Sequence, residues 1–236
     1  MLRLHQFRHS AFCEKVRLIL AVKGLPYDTV EVTPGLGQIA LFRLSGQRQV
    51  PVLEDDTTVI ADSTAIALHL EAHHPQPPLL PADPQLRARV LLLEDWADTT
   101  LASGVRLALL QAAVADPLLR TALLPEDLPS PLRGLVAALP TAPLVGVGET
   151  LGQGSRQDLQ AALRQLVVLA EAGPYLVGDQ LTLADLAVAA QLSLLSFPAH
   201  AGEPLAGRGV PGLADHPELV PLFAWRDRLI AGLLPG

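Results

Sequence analysis

Several features are scarce in this chain of 236 residues, and each scarcity excludes a class of protein. Cys13 is the single cysteine, which excludes an internal disulfide and a cysteine-based zinc site and suits a reducing compartment. The net charge is −7 and no long basic run offsets it, which argues against nucleic acid as a partner. No apolar run is long enough to span a bilayer, and no signal-peptide pattern follows Met1. We therefore expect a cytoplasmic protein that has no membrane partner.

The remaining composition is apolar and favours helices. Hydrophobic residues make up 50% of the chain and aromatic residues only 4%, so Leu and Ala must supply most of the core. Both residue types lose little free energy on entering a helix. A chain of this length and hydrophobicity buries a sizeable core, as one large domain or two modest ones.

Residues 7–20 combine the end of a strand, a polar turn and the start of a helix. Ser10 is the predicted N-cap, because its side-chain oxygen can accept from a free backbone N–H group. Phe12, Val16 and Ile19 follow at helical spacing and predict one buried face. Ser10 is therefore placed at the positive end of a helix, which favours a nearby anion such as a phosphate, a carboxylate or a thiolate.

The first eighty residues alternate short strands with helices. The apolar pattern, together with turn and cap residues, predicts strands at 2–7, 27–32, 50–53 and 57–60 and helices at 11–23, 35–44 and 63–74. This order, β-α-β-α-β-β-α, is that of a thioredoxin-like module.

Beyond a proline-rich linker at 77–84, every strong pattern is helical. One long helix is predicted from about Leu86 to Asp116, where Pro117 terminates it. Thr182 and Asp185 form a capping-box pattern before a helix that is apolar nearly all round. A last helix is predicted from about His216.

The segment near 118–155 shows no sustained period and contains several prolines and glycines. We expect loops there, with one short helix at 132–139, and a new helix that begins at Ser155. The predicted organisation is thus a first domain at 1–76, the linker, and an all-helical domain at 85–236.

This organisation resembles the glutathione transferase family, and local motifs strengthen the resemblance. Residues 10–17 resemble the active-site turn of its serine and cysteine classes, and 49–51 resemble its strand with a cis-proline. Residues 61–66 are similar to its helix start with an acidic residue and a serine, and 175–185 resemble its capped core helix.

The resemblance implies that glutathione binds as co-substrate. Ser10 would donate a hydrogen bond to its sulfur and lower the pKa of a thiol that is ordinarily ~8.5, so that more thiolate forms. The backbone of Val50, turned outward by cis-Pro51, would pair with the tripeptide. Ser63 would bind the γ-glutamyl carboxylate and Asp62 the ammonium group.

The glycyl end of the tripeptide would be bound by residues before the cis-proline. The resemblance implies that Gln49 hydrogen-bonds the peptide there, and Arg48 and Gln38 are candidates for the glycine carboxylate. Ser45-Gly46 replaces the Asn-Pro pair that is common in the family at this place, so we expect a looser loop over glutathione.

The leading prediction is a homodimeric glutathione transferase with a role in detoxification, in which Ser10 activates the thiolate for attack on a small apolar electrophile. Three alternatives stay open: a zeta-like glutathione-dependent isomerase, a thiol oxidoreductase that depends on Cys13, and a non-catalytic glutathione- or ligand-binding protein. His69 and His73 have the i, i+4 spacing of metal ligands, but Glu71 is misplaced for His-Glu-x-x-His, so we expect no metal.

Overall fold

The first part of the chain forms four strands and three helices, in the predicted order. The computed structural model describes residues 1–33, 36–124, 131, 134, 142–231 and 233, with the backbone alone for 36 and 142–154. The elements are β1 (Leu2–Gln6), α1 (Ala11–Val22), β2 (Tyr27–Glu31), α2 (Leu36–Ser45), β3 (Val52–Asp55), β4 (Thr58–Ala61) and α3 (Ser63–His73). The thioredoxin-like module is thereby confirmed.

The four strands make one sheet in the order β2-β1-β3-β4. β1 is parallel to β2, and α1 is the crossover between them, while β3 is antiparallel to both β1 and β4. Leu4 of β1 lies opposite Leu53 of β3, and both side chains are fully buried under the helices. The hairpin strands begin and end one or two residues later than predicted.

The second part of the chain is helical, as predicted. Its elements are α4 (Pro84–Trp96), a π-helical segment (Ala97–Leu101), α5 (Ala102–Ala115), α6 (Pro117–Ala122), α7 (Ala142–Ala172), α8 (Leu183–Leu192) and α9 (Val220–Ile230). The long helix predicted from Leu86 is thus one helical run with a π-helical segment inside it, and it ends at Ala115 as expected. Among the described helices, none has the length and hydrophobicity that a membrane span needs. Residues 74–83 hold neither helix nor strand, and the domain boundary there stays a prediction.

Helix α8 is the centre of the molecule, because all ten of its residues are buried. It packs against α4 and against α1 of the thioredoxin-like module, which runs from β1 to α3 and is called the sheet module. Asp185 is buried in its first turn, where its carboxylate accepts from Leu176 N–H at 2.7 Å, Thr182 N–H at 2.8 Å and the Thr182 hydroxyl at 2.7 Å. Burial raises the pKa of Asp185, and these three hydrogen bonds oppose that rise.

The prediction of an irregular segment near 118–155 needs correction, since α6 and much of α7 lie within it. Asp116 both ends α5 and begins α6, because its carboxylate accepts from Leu118 N–H at 2.8 Å and Leu119 N–H at 3.3 Å. Helix α7 starts well before Ser155 and continues through the glycines at 146–154, where the sequence predicts loops. Glycine costs a helix about 1 kcal/mol relative to alanine, which disfavours a helix without forbidding it. The short helix predicted at 132–139 lies outside the described residues, apart from Gly134, which is helical.

Candidate active site

Ser10 lies in the turn between β1 and α1 and caps α1, as the sequence predicts. Its backbone is extended (φ −95°, ψ 122°), and its Oγ accepts from Cys13 N–H at 3.4 Å. A serine hydroxyl that accepts this bond still has its own proton to donate. Ser10 is half-buried, so a ligand at the helix N-terminus would meet both the hydroxyl and the positive end of the helix.

Cys13 lies in the first turn of α1 and is fully buried. Burial raises the pKa of its thiol, and the Phe7 backbone, Ser10 and Arg17 oppose that rise to a smaller extent. A buried thiol with a raised pKa forms little thiolate and is a poor nucleophile. The environment of Cys13 therefore weighs against the oxidoreductase alternative.

An open cleft of about 340 Å³ lies between the sheet module and α5. It is lined by Phe7, Phe12, Val32, Gln38, Arg48, Gln49, Val50 and Arg106. Gln49 and Val50, predicted to bind glutathione, are among these residues, and so are the two candidates for its glycine carboxylate. Phe12 is only half-buried and faces the cleft, so its placement on the buried face of α1 was wrong.

Pro51 comes directly after Val50, which lines the cleft, and it is buried just before β3. The peptide bond between Val50 and Pro51 is cis. The cleft wall on this side also includes the segment that carries Arg48, whose guanidinium lies over the ring of Phe42 at 5.6 Å from its centroid.

Asp62 and Ser63 begin α3, and neither lines the cleft. Asp62 is the N-cap, and its carboxylate accepts from the N–H groups of Thr64 and Ala65, each at 3.0 Å. Ser63 is 2% exposed, and its hydroxyl donates to Asp98 Oδ2 at 3.2 Å. Both side chains thus have partners within the chain, and their predicted contacts with the γ-glutamyl group stay predictions.

A buried charge cluster that the sequence does not predict is formed by Lys15, Ser63, Thr64, Glu94 and Asp98. The Lys15 side chain is 1% exposed and forms ion pairs with Glu94 and, at 2.7 Å, with Asp98 Oδ2. Thr64 Oγ1 accepts from Lys15 Nζ at 3.2 Å and donates to Glu94 Oε1 at 2.6 Å. Burial raises the pKa of Asp98, and the charge of Lys15 opposes that rise.

The buried charge cluster joins α1 and α3 of the sheet module to α4 and the π-helical segment. Its sequence signal is a lysine on the buried side of α1, between Cys13 and Val16, where a charged side chain needs a buried partner. The partners lie on other helices, so their identity is not contained in the local pattern.

The two histidines at i, i+4 on α3 have partners within the chain. His69 Nε2 lies 2.9 Å from Asp55 Oδ2, and the ring of His73 packs on that of His69 with 4.1 Å between centroids. Within the described part of the chain, no group of three or more His, Cys, Asp or Glu side chains is arranged to hold a metal ion.

Two family models match the chain, one in its first part and one in its second part. Residues 4–78 match the N-terminal domain of glutathione S-transferases, and residues 149–228 match their C-terminal domain. The chain belongs to the glutathione S-transferase family.

Individual relatives agree with that assignment. A probable maleylacetoacetate isomerase of Caenorhabditis elegans is 30% identical over 190 residues, which cover 78% of this chain and 74% of that protein. Glutathione S-transferase Z1 of Arabidopsis thaliana is 37% identical over 90 residues, or 37% of this chain and 41% of that protein. A crystal structure of a glutathione S-transferase from Rhodospirillum rubrum F11 superposes with a TM-score of 0.67 at 28% identity, over 98% of this chain and 88% of that one.

Proposed function

We propose that this protein is a glutathione transferase in which Ser10 stabilises the thiolate of bound glutathione. The observation that carries the proposal is the position of Ser10 at the N-terminus of α1, in a turn whose flanking residues Phe7 and Phe12 both line the cleft. The same cleft contains Gln49 and Val50, on the wall where the tripeptide would bind.

The chemistry assigned to Ser10 is a hydrogen bond to sulfur. Its Oγ accepts from Cys13 N–H through a lone pair, so the hydroxyl proton can be donated to a thiolate. Together with the helix N-terminus, this donation would lower the pKa of the thiol by about one or two units, or about 1.4 kcal/mol per unit. The thiolate then attacks an electrophile that is bound on the α5 side of the cleft.

The proposal is tested by conjugation of glutathione with 1-chloro-2,4-dinitrobenzene in two matched variants. Ser10→Ala should lower kcat/KM at pH 7 by up to about 8- to 25-fold, because the thiolate fraction is about 3% at a pKa of ~8.5, about 24% at ~7.5 and about 76% at ~6.5. Cys13→Ala should stay within about twofold of the wild type, since its sulfur is buried and largely protonated.

Other outcomes of that experiment identify the alternatives. If Cys13→Ala abolishes turnover while Ser10→Ala does not, the serine assignment is wrong. A rise of the melting temperature with glutathione, in the absence of any turnover, would favour a non-catalytic binding protein. If neither turnover nor stabilisation is seen, both ideas fail.

A second candidate is a glutathione-dependent isomerase of the zeta type. The observation that favours it is the relative from Caenorhabditis elegans, named a probable maleylacetoacetate isomerase, which aligns with 78% of this chain. Ser10 would serve this reaction in the same way, by keeping the glutathione sulfur ionised. Activity on maleylacetoacetate with glutathione present, lost in Ser10→Ala, would select this candidate. A homodimer and a cytoplasmic location stay predictions.

A further inference from the structure

The cleft carries positive charge on a protein that is acidic overall. The chain has a net charge of −7, yet the charged residues that line the cleft are Arg48 and Arg106, and no acidic residue is among the described lining residues. The two arginines come from different parts of the fold. Arg48 precedes β3 on the side of Gln49 and Val50, and Arg106 belongs to α5 of the helical domain.

Arg106 differs from the paired arginines of this chain. Arg164 forms an ion pair with Glu218 at 2.6 Å, and Arg226 forms one with Asp227 at 2.8 Å. Arg106 is exposed, and its side chain makes no hydrogen bond or ion pair with any described residue. A guanidinium group presents several N–H donors in a planar fork that matches a carboxylate, so an unpaired arginine in a binding cleft is suited to a carboxylate on the ligand.

The apolar side chains that line the cleft suit the apolar part of a ligand. Phe7, Phe12 and Val50 supply aromatic and aliphatic surface, and Arg106 lies on the helical wall of the same cleft. Arg48 already contacts the ring of Phe42 and lies beside Gln49, on the wall assigned to the tripeptide. The two arginines thus allow one anionic group on each side: the glycine carboxylate of glutathione at Arg48 and a second carboxylate at Arg106.

We propose that the second substrate is a small electrophile that carries a carboxylate, and that Arg106 determines this specificity. The inference rests on the proposed function, because it assigns the tripeptide to the Arg48 wall of the same cleft. The sequence predicts a small apolar electrophile. The substrate proposed from the structure keeps that apolar part and carries a carboxylate in addition.

The test compares two electrophiles that differ in the group para to chlorine, 4-chloro-3-nitrobenzoate and 4-chloro-3-nitrobenzamide. Because the carboxamide activates the ring more strongly than the carboxylate, each kcat/KM is first divided by the rate constant of the uncatalysed reaction with glutathione. In both, the glutathione thiolate attacks the carbon that bears chlorine, a C–S bond forms, the C–Cl bond breaks, and chloride leaves with the electron pair. The thiol proton has already passed to solvent. The reacting carbon and the leaving group are therefore the same, and the carboxylate is the variable.

The wild type should have a normalised kcat/KM for the benzoate about tenfold or more above that for the benzamide. Arg106→Gln should remove most of this preference by lowering the value for the benzoate, and Arg106→Lys should retain part of it. Arg89→Gln, which removes an exposed arginine of α4 outside the cleft lining, is the matched control and should leave the preference unchanged.

Two results would overturn the proposal. One is an equal change of kcat/KM for both electrophiles in Arg106→Gln. The other is a rise in KM for glutathione itself in that variant, which would assign Arg106 to the glycine carboxylate.

A binding measurement separates this inference from the proposed function. Calorimetric titration with unreactive 4-nitrobenzoate and 4-nitrobenzamide, in the presence of S-methylglutathione, needs no turnover. Tighter binding of the benzoate that Arg106→Gln abolishes supports the carboxylate site even if the wild type conjugates neither electrophile. Equal affinity for the two ligands, or no binding of either, contradicts it.

Discussion

The sheet module and the helical domain meet at two charged places that differ in burial. In the buried charge cluster, the side chains of Lys15 and Glu94 are 1% and 3% exposed, and every charge has a partner within the chain. In the cleft, Arg48 and Arg106 are exposed and face a space with no acidic described residue around it. A buried charge must be paired because its desolvation is costly, whereas an exposed arginine keeps its water until a ligand replaces it. The cluster therefore joins the sheet module to α4 and the π-helical segment, and the cleft is the place that we propose for substrates.

Removal of the buried cation should have the largest effect on stability. Lys15→Met leaves Glu94 and Asp98 without their counter-charge, and breaking a buried ion pair in this way costs about 3–5 kcal/mol. The free energy of unfolding from urea denaturation, at one fixed protein concentration, measures this loss. Arg106→Gln is the contrasting variant and should change the same quantity by less than about 0.5 kcal/mol.

The triple variant Lys15→Met, Glu94→Gln and Asp98→Asn sharpens this result. It removes the uncompensated carboxylates as well, so it should recover part of the lost stability. A loss below about 1 kcal/mol for Lys15→Met alone would contradict the role of the cluster as a joint between the domains.

A smaller effect on stability is expected from the contact between Asp55 and His69, which is only partly buried. The hydrogen bond and the charge of His69 hold the pKa of Asp55 below its ordinary value of 3.8. A lowered pKa means that the ionised carboxylate stabilises the fold above pH 3.8, and that this contribution is lost as the pH falls from there through the lowered pKa.

Asp55→Asn should therefore destabilise the protein near pH 5, by less than about 1 kcal/mol because the pair is solvated, and should have no effect near pH 2. Urea denaturation of the variant and the wild type across this range is the measurement. A destabilisation that persists unchanged at the lowest pH would show that the aspartate acts through packing and not through its charge.

The local features of the fold follow from short patterns in the sequence. The cap at Ser10, the strand and helix order of the first domain and the apolar character of α8 each depend on neighbours within a few residues. The glycines at 146–154 led to a prediction of loops where α7 lies, because propensity is a weak guide to helix boundaries. Pro117 predicts only the end of a helix, although the carboxylate of Asp116 also caps the next helix.

Some of the residues that line the cleft follow from the sequence. Gln49 and Val50 line the cleft, as the motif around Pro51 suggests, but Arg106 was not foreseen because α5 reaches the cleft only through tertiary packing. The hydroxyl of Ser63 donates a hydrogen bond to Asp98, which lies 35 residues away in the chain. No local pattern carries such a contact.

Titration of the thiol of bound glutathione tests whether Ser10 stabilises its thiolate. The ultraviolet absorbance of the thiolate, followed against pH in the protein–glutathione complex, gives the pKa of the sulfur. We expect a pKa about one or two units below the ordinary ~8.5 for the wild type and for Cys13→Ala, and a clear rise toward ~8.5 for Ser10→Ala, in which only the contribution of the helix N-terminus remains. A bound thiol whose pKa is the same in Ser10→Ala as in the wild type would contradict this role of Ser10.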